Sequence, residues 1–191
     1  MNRLYAFFFM LFLSACGNVP PAPVDHFYRL QPTVISARSS SPAAPLGAIA
    51  VSPFRADSLY AERPIVYAEE PGLRQLRQYH YHLWLYPPAQ TVQRHLTASL
   101  GNALDLRGDA TAANVLEGRV VGFERVLSGK TSRAVVALEL SLSRDGKVRT
   151  SKTYQAEQSA ADDSLDAFAA AVEQALAKIY AEFLSDLASA A

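Results

Sequence analysis

Residues 134 to 157 constrain the fold more tightly than any other stretch. Val136, Leu138, Leu140 and Leu142 alternate with Ala137, Glu139 and Ser141. Period-two alternation marks a strand with one buried and one wetter face. Asp145-Gly146 follows, a pair that suits a two-residue hairpin turn. Lys147 to Glu157 then returns as a polar strand, with Val148, Thr150, Tyr154 and Ala156 on the expected inner face. Before the hairpin, Ala113 to Leu127 reads as a third long strand, turned by Ser128-Gly129-Lys130. Gly118 and Gly122 inside it mark bends or close packing.

Two segments supply helices to cover such a face. Pro87-Pro88 starts the first, because a proline in the opening turn loses no helical hydrogen bond. Val92, Leu96, Leu100 and Leu104 follow at four-residue spacing, and the helix ends before Arg107-Gly108-Asp109. In the second, Asp162-Asp163-Ser164 offers capping and acidic groups at a helix start. Leu165, Phe168, Val172, Leu176, Ile179, Phe183 and Leu187 then share one face, widened by Ala169, Ala175 and Tyr180. Shorter strands are expected at His26–Leu30, at Gly47–Phe54 with Pro53 at an edge or bulge, and at Arg63–Ala68. Two or more strand-like pieces, LRQLRQY and YHLWLY, are expected between Leu73 and Tyr86. The expected class is α+β, a single domain with an antiparallel or mixed β-sheet and two amphipathic helices packed on one face.

The N-terminus is of another kind. Leu4 to Leu13 is uncharged and apolar behind Arg3. Ten helical residues span roughly 15 Å, about half of a bilayer core. The run fits the core of a secretory signal peptide. Leu13-Ser14-Ala15-Cys16 then looks like a bacterial lipobox, an aliphatic residue and two small ones before the chain's single cysteine. Cysteine suits this position because its thiolate takes a lipid as a thioether. Cleavage between Ala15 and Cys16 would leave an acylated first residue, carrying N-acyl and S-diacylglycerol lipid such as palmitate. One acyl chain binds a membrane marginally, whereas two or three hold it firmly. Gly17 follows the cysteine where an aspartate is similar to an inner-membrane retention mark, which favours the periplasmic face of the outer membrane. The expected organisation is a signal peptide at 1–15, the lipidated cysteine and a proline-rich tether at 16–25, and the α+β domain at 26–191. At about 3.1 Å per residue, the tether GNVPPAPVD reaches roughly 28 Å. SARSSSPAAP at 36–45 reads as a loop within the domain.

Charge excludes one class of partner. The chain carries 18 basic and 18 acidic residues, and loss of residues 1–15 removes only Arg3. Without a basic excess, nucleic acid is not an expected partner. No phosphate loop, G-x-S-x-G or H-E-x-x-H occurs. His80 and His82, two apart on a strand, could share a face and bind zinc, with His95 as a distant third. No other ligand is spaced to complete a set, so no metal, catalytic residue or cofactor beyond the covalent lipid is assigned. The remaining cluster is aromatic: Tyr79, Tyr81, Trp84 and Tyr86, interleaved with His80 and His82. Such residues are common at interface hot spots, and equally fill cores.

Several of these features together resemble one family. They are the lipobox at Cys16, Phe27-Tyr28-Arg29-Leu30, GAIAVSPF, and Arg63-Pro64-Ile65-Val66-Tyr67. The strongest is Tyr79-His80-Tyr81-His82-Leu83-Trp84-Leu85-Tyr86-Pro87-Pro88 before a helix. In order and spacing they resemble the ABC-type transport auxiliary lipoprotein family, which includes the paraquat-inducible protein C type and membrane integrity-associated transporter subunits. The resemblance implies a non-catalytic envelope lipoprotein. It would accompany an ABC transporter and its mammalian-cell-entry-type periplasmic protein in lipid transport between the membranes. The aromatic–histidine composition makes Tyr79, His80, Tyr81, His82 and Trp84 the candidate partner interface, and the resemblance is compatible with a homo-oligomer. Two alternatives stand beside it. One is a carrier holding a lipid or small apolar ligand in its own groove. The other is a structural or assembly lipoprotein of the outer membrane.

Overall fold

The computed structural model describes residues 21–33, 35, 46–108 and 112–189. The expected signal peptide, its cleavage site at Ala15-Cys16, the first part of the tether and the 36–45 loop lie outside these residues. The long meander organises everything else. β7 (Asn114–Ser128) pairs antiparallel with β8 (Thr131–Arg144), which pairs antiparallel with β9 (Lys147–Ser159). Asp145 and Gly146 both take positive φ, 50° and 75°, as their hairpin turn demands.

The other edge of β7 is filled piecewise by three parallel strands in succession. They are β2 (Ile49–Val51), β3 (Arg55–Ala56) and β4 (Pro64–Glu69). Pro53 separates the first two, and a turn of 3₁₀-helix at Ser58–Ala61 separates the last two. β5 (Arg77–Trp84) pairs antiparallel with β4, and β1 (His26–Tyr28) lies parallel beside β5. A short β6 (Leu106–Arg107) pairs with β2 at the other end. The sheet is therefore mixed, and with two helices it makes a single α+β domain.

Both helices cover one face. α1 (Pro88–Leu100) buries Val92, Leu96 and Leu100. It stops one turn earlier than the apolar spacing suggested, so Leu104 packs against the core from beyond its end. α2 (Leu165–Ser189) buries Phe168, Val172, Leu176, Ile179, Phe183 and Leu187. Its cap is the expected one: the Ala167 N–H donates to Ser164 Oγ at 3.0 Å, and the Ser164 N–H donates to Asp162 Oδ1 at 2.8 Å. The inward residues of β8 from Ala134 to Leu142 meet this layer. The two glycines of β7 allow close approach: Phe54 packs over Gly118, and a Cβ at Gly122 would lie 3.1 Å from that of Ala137. Among the described residues, no helix is long and apolar enough to cross a membrane.

Two strand expectations need correction. Val148 does not face inward; it is 65% exposed. The register slips after Leu142, which pairs with Thr150, so that Ser143 pairs with Val148. Arg149 is the extra residue of this bulge, and it turns Val148 to the outer face. The stretch from Leu73 holds one strand rather than two, because residues 71–75 form a turn before β5 begins at Arg77.

Candidate functional site

β5 carries the aromatic–histidine stretch, and its geometry is irregular. Pro64 of β4 pairs with Leu83 while Val66 pairs with Gln78, so Ile65 alone stands opposite residues 79–82. A bulge breaks the alternation of side chains. It sends the candidate interface residues to three different environments.

Trp84 goes to the core. It is 1% exposed, with its ring 5.1 Å from Phe123 and 5.9 Å from Phe168, so it is not a surface contact. The Trp84 N–H donates to the Arg63 carbonyl at 2.8 Å, and Arg63 Nε donates back to the Trp84 carbonyl at 3.1 Å.

Tyr79 and His82 join a half-buried polar cluster. The Tyr79 ring packs 4.5 Å from that of Tyr67 and meets His82 edge-on at 5.5 Å. His82 stacks on His26 at 5.1 Å, and its Nδ1 lies 3.0 Å from the Tyr28 hydroxyl. Burial, and secondarily the neighbouring His26, pulls the His82 pKa below the usual histidine range. At the centre is Arg125, whose side chain is 5% exposed. Its Nη1 donates to the Tyr79 hydroxyl at 2.9 Å, and its Nη2 to the carbonyl and carboxylate of Asp163 at 2.8 and 2.5 Å. The arrangement docks the start of α2 onto the sheet. Both terminal nitrogens of Arg125 are engaged within the clasp, while its buried Nε has no hydrogen-bond partner among the described residues.

His80 and Tyr81 are lifted into solvent by the bulge, Tyr81 to 45% exposure. They flank the edge strand β1, where Phe27 is half exposed beneath the Arg63 guanidinium, 5.0 Å from its ring. Leu85 and Tyr86 continue the exposed apolar surface. The two histidines weighed as zinc ligands thus separate, one exposed and one clasped. His95 is committed elsewhere, with Nε2 3.0 Å from the Gln31 carbonyl and Nδ1 3.3 Å from the Tyr180 hydroxyl. Among the described residues, no group of three His, Cys, Asp or Glu is placed to hold a metal.

The His95 pair of contacts fits a neutral ring, protonated on Nε2 and accepting at Nδ1. Burial lowers its pKa to about 4, against the opposing pull of the Gln31 carbonyl. The unfolded chain, with histidine near 6.5, takes up a proton between pH 6.5 and 4 that the folded state refuses. The stability due to His95 is therefore full above pH 6.5 and falls with acid. By pH 4.5 the loss should reach about 2–3 kcal/mol, with His82 adding in the same sense. Urea unfolding at pH 7.5 and 4.5 measures it, and His95→Gln should flatten the difference. An unchanged slope in that variant would show that other groups carry it.

Sequence reasoning missed Tyr28, Tyr67, Arg125 and Asp163 as members of one cluster. Their only signal was an arginine among the mostly apolar inward residues of β7, and the partners come from elements far apart in the chain.

The fold is a mixed sheet covered by two helices, with a bulged edge that carries exposed aromatic groups. Comparison with known proteins is specific. A profile for the ABC-type transport auxiliary lipoprotein component matches residues 28–183, and the chain belongs to this family. The fold is similar to the crystal structure of protein XCC0632 from Xanthomonas campestris, at 20% identity and a TM-score of 0.70, covering 86% of this chain and 96% of that one. An uncharacterized protein of solved structure is similar at 17% identity and a TM-score of 0.71, covering 86% and 99%. No curated protein sequence matches.

Proposed function

We propose that the protein is a lipid-anchored accessory subunit of an ABC transport system, held at the periplasmic face of the outer membrane. It docks a mammalian-cell-entry-type protein and supports intermembrane lipid transport and envelope integrity. It acts by docking rather than catalysis. The observation that carries this reading is the β5 bulge, which presents His80 and Tyr81 beside β1, the edge strand among the described residues, and the half-exposed Phe27. Exposed aromatic groups at a strand edge offer both side-chain anchors and unpaired backbone groups to a partner. Membership of the transport auxiliary family supplies the context. This reading keeps His80 and Tyr81 in the interface and assigns Tyr79, His82 and Trp84 to its support.

Two variants test it. His80→Ala/Tyr81→Ala in the full-length protein should lower recovery of the mammalian-cell-entry-type protein at least tenfold on co-purification, with an unchanged unfolding midpoint. Equal recovery would remove this edge from the interface. Cys16→Ser should release the protein from the membrane fraction. Retention through a salt wash would contradict the lipid anchor.

A further inference from the structure

A second feature lies between the chain that leaves β1 and the first turns of α1. A cleft of about 320 Å³ opens there, with Arg29 on one wall and Arg94 on the other. Leu30, Pro32, Leu85 and Ala98 supply apolar lining. Both arginines are exposed, and neither has a carboxylate within ion-pair distance among the described residues. Arg119 by contrast holds Asp57 and Glu139, and Arg133 holds Glu70 and Glu157, whereas Arg55, Arg74 and Arg149 have no carboxylate within ion-pair distance among the described residues, as at the cleft. The Arg94 guanidinium instead lies over the Tyr86 ring at 4.8 Å, which fixes its position at the cleft mouth.

The rest of the lining is already committed. Thr91 Oγ1 donates to the Tyr86 carbonyl at 2.9 Å, and both ring nitrogens of His95 are engaged. The side-chain donors left for a ligand are therefore the two guanidiniums and the Tyr86 hydroxyl. A peptide in this cleft would find few partners for its amides, and each amide left unpaired costs binding energy. An amphiphile with one anionic group makes no such demand. Guanidiniums match phosphate oxygens in a two-point grip, and the apolar wall takes the start of a hydrocarbon tail.

We propose that this cleft binds a phosphate ester of net negative charge bearing an apolar tail, with Arg29 and Arg94 gripping the phosphate and the Leu30–Leu85 wall receiving the tail. The phosphate ester is either a lipid of the nearby membrane or a free soluble ester. The inference rests on the anchored reading only for the direction of approach: Arg29 lies thirteen residues after Cys16, so the cleft sits close to where the tether joins the fold.

The test uses the full-length protein in a nonionic detergent and isothermal calorimetry. Dioctanoyl phosphatidylglycerol should bind, and dioctanoyl phosphatidylcholine at least tenfold more weakly. Arg29→Gln/Arg94→Gln should weaken phosphatidylglycerol at least tenfold, whereas Arg149→Gln, an exposed arginine on β9, should not. Ala98→Glu, which adds a carboxylate to the lip, should weaken it comparably and guards against misfolding of the double variant. Hexyl phosphate binding as tightly as the lipid would uphold both contacts and assign the ligand to the soluble source, whereas tailless glycerol 1-phosphate binding as tightly as the lipid would overturn the role of the apolar wall. No binding of phosphatidylglycerol, equal binding of phosphatidylcholine, or equal binding by both cleft variants would overturn the proposal. None of these outcomes bears on partner docking, which uses other residues.

Discussion

Trp84→Ala should unfold the protein more easily by about 3–5 kcal/mol, the range for truncating a large aromatic residue in a packed core. Its ring fills the space between Phe123 of β7 and Phe168 of α2, so it joins the sheet to the helical layer. Truncation leaves a cavity bounded by two rings that cannot both collapse into it. The loss should appear as a fall of order 10 °C in the melting midpoint, read by circular dichroism. A variant with an unchanged midpoint would contradict the core assignment. Trp84 is buried in a stretch that also carries the exposed His80 and Tyr81, so reduced partner capture by this variant alone would report stability rather than contact.

Gly118→Ala should cost about 2–4 kcal/mol, from overpacking and from partial loss of a buried phenyl ring. A Cβ on Gly118 would lie 2.5–2.6 Å from three atoms of the Phe54 ring, closer than carbon atoms approach. Phe54 cannot simply yield. Its ring is buried, and its N–H donates to Gln93 Oε1 of α1 at 3.1 Å. The prediction carries its own control. Phe54→Ala in the Gly118→Ala background should cost much less than the sum of the single changes, because the clash is gone. Strict additivity, measured by urea unfolding of all four proteins, would show that Phe54 is not what Gly118 accommodates.

The long elements were legible because their periodicity was unambiguous. The alternation from Val136 to Leu142, the Asp145-Gly146 turn and the stripe from Phe168 to Leu187 each required one structure. Fragmentary elements were not. β3 and β6 are two residues each, too short to show a period, and they exist because β7 and β2 offer edges to pair with. Val148 was misplaced because a bulge shifts register without a glycine or proline to announce it. The same limit governs the candidate site. The stretch Tyr79 to Trp84 was found from composition, but its division into core, clasp and surface depends on a bulge across from Ile65. The Arg29–Arg94 cleft joins residues 65 positions apart and had no local signal.

The central claim is that the bulged edge meets the transport partner. A photo-crosslinking amino acid placed at position 81 of the full-length protein, in cells, tests it most directly, with one at position 148 as comparison. Both sites are exposed, but Val148 lies by the β8–β9 turn rather than on the β1–β5 edge. The account predicts a crosslink to a mammalian-cell-entry-type protein from position 81 and none from position 148. Equal crosslinking from both sites, or none from position 81 while the partner is present, would contradict it.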